Sequence, residues 1–254
     1  MEKTRLDDLL VEKGLAQDRK EALALTLSGR VLVGEQRLEK PGVLVERDAV
    51  VRIKGERRRY VSRGGLKLEA ALDSFQLSVR DFVCLDLGAS TGGFTDCLLQ
   101  HGARRVHAFD VGRGQLDWKL AQDTRVIVHD EFNVRRLGPS DVGEPVDLIT
   151  IDVSFISLRQ ILPALRAFPS ARVIALVKPQ FEAAREEVNP GGVIRSAGLQ
   201  EEILERVKRF ASEEGFEVLG ETPSPIPGQK GNREFLLLLR LREGEPMARV
   251  DGPD

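Results

Sequence analysis

Little in this chain would staple it covalently, anchor it in a membrane or bind a metal. Its 254 residues include two cysteines and three histidines. Cys84 and Cys97 lack CxxC spacing, so neither a disulfide framework nor a zinc site is indicated, and a reducing cytoplasm is the expected compartment. Long apolar runs are missing too. The longest, "FLLLL" at 235–239, falls far short of the roughly 20 residues that cross a bilayer. The opening "MEKTRLDDLL" is charged from its second residue, unlike a secretory leader. The net charge is only −2, a value that neither suggests nor excludes an anionic partner. Its distribution says more: residues 1–60 hold 14 Lys and Arg against 11 Asp and Glu, a balance of +3 that leaves −5 for the remainder.

What is present suffices for a buried core and two domains, with 41% apolar and 31% charged residues. In "TRLDDLLVEKGL", Leu6, Leu9, Leu10 and Val11 recur at helical spacing, with Thr4 as the expected cap and Gly14 as the stop. A second helix is expected from Asp18, its cap, to Gly29, with Leu23 and Leu27 facing inward. The short β-rich pieces "RVLVGEQRL" and "DAVVRI" follow, separated by "KPGVLVERD", whose Pro-Gly marks a turn. These elements form a small domain over 1–60. A linker at about 55–63 contains Arg57, Arg58, Arg59 and Arg63.

Beyond it, seven apolar segments alternate with helical stretches: "FVCLDLG", "RVHAFDVG", "RVIVHDE", "VDLITIDVSF", "ARVIALVKPQ", "GFEVLGE" and "EFLLLLRL". The pattern predicts an α/β domain over 61–245, with a mostly parallel sheet covered by helices on both faces. A tail at 246–254 is expected to be disordered. Ligands of such folds sit beyond the C-terminal ends of the strands.

One such end carries the densest signal. In "CLDLGASTGGFTDCLL" a strand runs into small and glycine residues and then into a helix, whose first N–H groups face the crevice. The order G-x-x-x-G-G does not match the dinucleotide fingerprint, and a P-loop would need Gly-Lys-Ser/Thr. Asp86 at the strand end suits a ligand with an ammonium group. Asp110 ends the next strand, where an acid can accept hydrogen bonds from ribose hydroxyls, and Asp130 ends the third, facing an adenine edge. An adenosine with an amino-acid tail, S-adenosylmethionine, satisfies all three acids. The candidate cofactor residues are Asp86, Gly88, Ser90, Gly92, Gly93, Phe94, Asp110, Val111 and Asp130. No metal is implied.

Two further strands end in Asp152 and Lys178, and "GNREFLLLL" places Glu234 at the opening of another. A lysine between five apolar residues and a proline is not a typical surface lysine. The segments "VSRGGLKLEAAL", "DLGASTGGFTDCLL", "DVGRGQL", "IDVSFISL", "LVKPQFE", "GGVIRS" and "GNREFL" together resemble the TlyA family of ribosomal RNA 2′-O-methyltransferases, once described as hemolysins. Their catalytic half is similar to the FtsJ/RrmJ class, a Rossmann-like class I fold with a seven-stranded sheet. The resemblance implies a Lys-Asp-Lys-Glu tetrad at Lys67, Asp152, Lys178 and Glu234, with Lys178 as the immediate base. Residues 5–36 resemble the S4 RNA-binding module, which implies that Arg5, Arg19, Lys20, Arg30 and Lys40, together with the linker arginines, meet RNA phosphates.

The expectation is therefore 2′-O-methylation of a cytidine in ribosomal RNA, of the large subunit first and of the small subunit as a further target. "NPGGVIRS" is expected to form a mobile loop over the substrate entrance. Two other readings compete. A pore-former should show a long amphipathic or apolar segment, which this sequence lacks; a noncatalytic RNA binder should have lost part of the glycine loop or tetrad.

Overall fold

A computed structural model describes residues 2–54 and 59–242. It divides the chain into two compact units, 1–58 and 59–254. The second unit thus starts two residues before the expected boundary. Arg57, Arg58 and the tail at 246–254 lie outside the described residues.

The first unit consists of β1 (Lys3–Arg5), α1 (Leu6–Glu12), α2 (Arg19–Leu27), β2 (Val31–Val33), β3 (Gln36–Leu38), β4 (Leu44–Glu46) and β5 (Val51–Ile53). β1 pairs with β4, and β2 lies between β3 and β5, all antiparallel. Leu6, Leu9, Leu10, Ala22, Val31 and Val45 form its core. Asp18 caps α2 as expected, accepting the Glu21 N–H at 2.7 Å.

Two expectations fail here, those for Thr4 and for the inner face of α2. Thr4 does not cap α1: it sits in β1, and the capping position belongs to Arg5, without a side-chain bond. The Pro-Gly turn forms at 41–42 as expected, and the rest of "KPGVLVERD" contains β4. Leu23 and Leu27 do not point inward; they are 43% and 62% exposed, and Ala22 and Thr26 are buried in their place. In "ALALTL" apolar residues cover more than one helix face. Small residues allow α2 to lie close to α1, and the Thr26 hydroxyl is satisfied by the Ala22 carbonyl at 2.8 Å.

The second unit contains α3 (Gly64–Ser74), β6 (Val83–Leu87), α4 (Gly93–Gln100), β7 (Arg105–Phe109), α5 (Trp118–Ala121), β8 (Val126–His129), β9 (Leu148–Ile151), α6 (Leu162–Leu165), β10 (Arg172–Val177), α7 (Pro179–Glu182), α8 (Ala197–Glu213), β11 (Phe216–Pro223) and β12 (Phe235–Leu241). All seven expected strands form one sheet in the order β11-β12-β10-β9-β6-β7-β8. The five strands from β10 to β8 are parallel, whereas β12 runs antiparallel to β10 and to β11.

Both faces are covered, which is why the strands read as nearly continuous apolar runs. Phe235, Leu237 and Leu239 of β12 pack on one side with Leu204 and Val207 of α8. Leu236 and Leu238 pack on the other with Leu68 of α3 and Leu98 of α4. From β6 the chain builds outward through β7 to β8, then returns to β9 on the opposite side of β6. The crevice beyond β6 and β9 is therefore the topological switch point, where ligands of open α/β sheets bind.

Candidate active site

The glycine loop follows β6 and ends in α4. Gly88 has φ +86°, and a Cβ there would lie 2.9 Å from the Asp152 carbonyl oxygen. Only glycine permits this approach of the loop to the end of β9. At Gly93 a Cβ would strike the Ser62 hydroxyl and lie 3.0 Å from the Gly65 nitrogen, so this residue lets α3 seat against α4.

Two cavities open at this end of the sheet and share Ser154 and Phe155 in their walls. The larger, about 470 Å³, is lined by Gly88, Ser90, Asp110, Val111, Gln115, Asn133, Arg135 and the segment Asp152 to Ile156. Its size lies within the roughly 300–1,000 Å³ typical of small-molecule sites. Asp110 accepts the Ser90 N–H at 2.8 Å and the Gly112 N–H at 2.7 Å, which fixes both loops around the cavity.

Four of the expected cofactor residues thus meet: Gly88, Ser90, Asp110 and Val111. The others do not line this cavity. Asp86, expected to face a ligand ammonium, is fully buried beneath the loop and accepts the hydroxyls of Thr95 at 2.7 Å and Thr150 at 3.2 Å. Burial raises its carboxyl to about 7. It ties β6 to α4 and β9. Asp130, expected at the adenine edge, is exposed and accepts the Gly114 N–H at 2.9 Å, shaping the turn after β7. Phe94 is a core residue, and Gly92 and Gly93 serve the start of α4.

The second cavity, about 360 Å³, brings together residues distant in sequence: Arg63, Gly64 and Lys67 with Ser154 and Phe155, then Lys178, Gln180 and Phe181, and finally Gly192, Lys230, Asn232 and Glu234. The tetrad forms two ion pairs. Lys67 Nζ lies 2.5 Å from Glu234 Oε2, with side chains 11% and 2% exposed. Lys178 Nζ lies 2.7 Å from Asp152 Oδ1 and also donates to the Val153 carbonyl at 2.8 Å and the Ser154 hydroxyl at 3.0 Å. Three acceptors match the three N–H groups of an ammonium. Glu234 joins the site because β12 is antiparallel, so its first residue lies beside the last residues of its parallel neighbours.

Sequence reasoning passed over several residues here. Phe155 has φ +67° and is 86% exposed on the wall shared by the two cavities. A bulky residue in the left-handed region is strained, yet nothing in "VSFIS" signals a positive φ. Gln180 and Phe181 lie inside "KPQFE", where Lys178 alone drew attention. Gln115 and Asn133 read as ordinary turn and capping residues. The "NPGGVIRS" loop does reach the cavity through Gly192, but it is tied down: buried Asn232 donates to the Gly192 carbonyl at 2.9 Å and accepts the Ile194 N–H at 3.1 Å.

Of the expected RNA contacts, Arg5 and Arg19 converge on Asp7 at 2.8 and 3.1 Å. Hydrogen bonding from Arg5 holds that carboxylate down at about 2. Both guanidinium groups remain half-exposed. Lys20 and Lys40 are exposed, and Arg30 donates to the Lys54 carbonyl. In the second unit Arg59 pairs with Glu69, and Arg63 lines the tetrad cavity.

The parallel sheet with its switch-point cavity and buried lysine–carboxylate pairs has the build of an S-adenosylmethionine-dependent methyltransferase, preceded by a small α+β unit. The family model for FtsJ-like methyltransferases matches residues 60–241 and that for the S4 domain residues 4–51. The chain belongs to the TlyA family, in which these two domains follow each other. It is 51% identical over 93% of its length to the "Putative rRNA methyltransferase YqxC" of Bacillus subtilis (strain 168), covering 85% of that protein. It is 44% identical over 94% of its length to the 16S/23S rRNA (cytidine-2′-O)-methyltransferase TlyA of Mycobacterium tuberculosis (strain CDC 1551 / Oshkosh), covering 91% of it. A solved structure, "Putative hemolysin from Streptococcus thermophilus", superimposes with a TM-score of 0.73 at 46% identity, covering 96% of this chain and 90% of that one. Despite the hemolysin name, no helix among the described residues is long and apolar enough to cross a membrane.

Proposed function

We propose that this protein transfers a methyl group from S-adenosylmethionine to the ribose 2′-hydroxyl of a cytidine in ribosomal RNA, with the large subunit as the first target. The observation that carries the reading is that the Lys178–Asp152 pair spans two adjoining cavities, with Lys178 in one and Asp152 in the other, while the Lys67–Glu234 pair lines the cavity of Lys178. The larger cavity suits the cofactor: Gly88 gives close backbone approach, Asp110 can accept from ribose hydroxyls, and Asp110 and Asp152 favour a cation. S-adenosylmethionine, when bound, supplies an electrophilic methyl group on a positively charged sulfur.

The tetrad cavity then receives the target nucleotide. A ribose hydroxyl is a poor nucleophile and must lose its proton as it attacks. Lys178, whose Nζ stands beside Asp152 at the wall shared by the two cavities, is the group placed to receive that proton. Three protein groups now surround its Nζ, so one of them yields when the ribose enters, and Ser154 can do so by turning its hydroxyl. Asp152 then faces the ammonium as it forms and stabilises it. Lys67 and Glu234 hold the cavity floor. Phe155 offers a ring on which a base can stack, and Arg63 and Lys230 a positive rim for phosphate.

The S4 unit supplies sequence-independent phosphate contacts through Arg5, Arg19, Lys20, Arg30 and Lys40. The test is methyl transfer from labelled cofactor to purified large and small subunits lacking the modification, with wild type and Lys178→Ala compared and the product mapped by mass spectrometry. Formation of 2′-O-methylcytidine by wild type alone is the expected result. No transfer to either subunit, with cofactor binding intact, would overturn the assigned substrate.

A further inference from the structure

The strained arch from Asp152 to Leu158 carries Phe155, and its conformation must be held by something outside itself. A residue of this size with φ +67° and an 86% exposed side chain gains almost nothing from its own packing. Among the described residues its ring contact is to Phe181, with centroids 5.1 Å apart. The two feet of the arch are where the hydrogen bonds lie.

The first foot is gripped by Lys178, through Asp152, Val153 and Ser154. At the second foot Glu182 uses both carboxylate oxygens: Oε2 accepts the Ser157 hydroxyl at 2.6 Å and Oε1 accepts the Leu158 N–H at 2.8 Å. Ser157 in turn accepts the Arg159 N–H at 3.1 Å, which caps the helical turn that ends the arch. Lys178 and Glu182 are four residues apart, at the cap and the last position of the single-turn helix α7. One short element therefore holds both ends of the arch. Burial pushes the Glu182 carboxyl upward, so its charged form is kept at a cost, and its partners are the arch groups with Arg159 as the nearby cation.

We infer that Glu182 is a positioning residue that locks the Phe155 arch in the shape that receives the target base. This inference rests on the RNA methyltransferase reading given above. Glu182 touches no reacting atom, and its effect is on nucleotide docking. Losing its carboxylate frees Ser157 and Leu158 and lets Phe155 relax from the left-handed region. Lys178 still holds the first foot, so the base stays in register with Asp152.

The experiment measures kcat and KM for methyl transfer to the ribosomal subunit, with cofactor affinity and thermal stability, in wild type, Glu182→Ala, Glu182→Gln and Ser157→Ala. Glu182→Ala is expected to raise KM for the subunit about tenfold while kcat falls less than about threefold. Glu182→Gln, which keeps an acceptor for the Leu158 N–H and lets Ser157 turn to accept from the amide, is expected to restore KM to within about threefold of wild type. Ser157→Ala, which leaves the Leu158 contact in place, covers the case in which Glu182→Ala fails to fold; its KM is expected between those of wild type and Glu182→Ala. Equal loss of kcat in Glu182→Ala with KM unchanged, or a Gln variant as impaired as the Ala one, would overturn the inference, as would wild-type KM in all three variants. Failure of the wild type itself to modify either subunit would remove the underlying RNA reading and is distinguished by that control.

Discussion

At the scale of single residues, one buried carboxyl illustrates how surroundings decide charge. Asp86 is raised to about 7 by burial, against about 3.9 in an unfolded chain. The folded state holds a proton that the unfolded state releases between these values. The stability that Asp86 contributes is therefore complete below about pH 4 and is lost as pH rises through 7. Asp86→Asn should remove that fall, seen as a flatter plot of unfolding temperature against pH from about 4 to 8; an unchanged slope would assign it to other groups. Lys178 supplies the second prediction. Lys178→Ala should reduce methyl transfer at least ~100-fold while cofactor binding persists, and Lys178→Arg should not rescue it, since a guanidinium does not give up its proton. Single-turnover assays with labelled cofactor would show either outcome. The sequence exposed Lys178, Asp152 and Glu234 clearly, because a charged residue next to an apolar strand is conspicuous. It gave no hint that Asp86 turns away from the cavity, since a strand-end acid looks the same whether it faces a ligand or two threonines.

At the scale of elements, the site depends on close approaches between strand ends and helix starts. Gly88→Ala would place a Cβ 2.9 Å from the Asp152 carbonyl oxygen on a backbone at φ +86°. Cofactor affinity is expected to fall about tenfold or more, as measured by calorimetry, because the loop must withdraw from β9. The Lys67–Glu234 pair joins α3 to β12. Glu234→Ala leaves a buried lysine without its partner and should cost about 3–5 kcal/mol of stability, more than Lys67→Met,Glu234→Leu together, which removes both charges; denaturant titration separates the two. Strands were legible because burial on both faces leaves almost unbroken apolar runs. The small elements were less so. β4 was hidden behind a Pro-Gly turn, and α2 has apolar residues on two faces, so its inward face was settled only by packing against α1.

At the scale of the whole molecule, charge is divided between two units with different work. The basic excess of the first 60 residues is small, yet Arg5 and Arg19 are concentrated around Asp7 and Asp8, with their outer edges half-exposed. Arg19→Ala should weaken subunit binding at low salt and lower the slope of log K against log salt by about 0.7–0.9 for one lost phosphate contact. Binding measured at several salt concentrations checks it; an unchanged slope would remove Arg19 from the RNA-facing set. The sequence by itself determined the two-unit plan, the seven strands and the glycine loop, because burial and turn chemistry act locally and leave a local pattern; the tetrad positions came from the family resemblance. Tertiary structure alone decided that the tetrad becomes two separate ion pairs and that an antiparallel β12 brings Glu234 to the end of the parallel strands. It also set Phe155 outward on a strained arch held by α7. Each of these depends on which segments become neighbours across the sheet, a relation that no local spacing encodes.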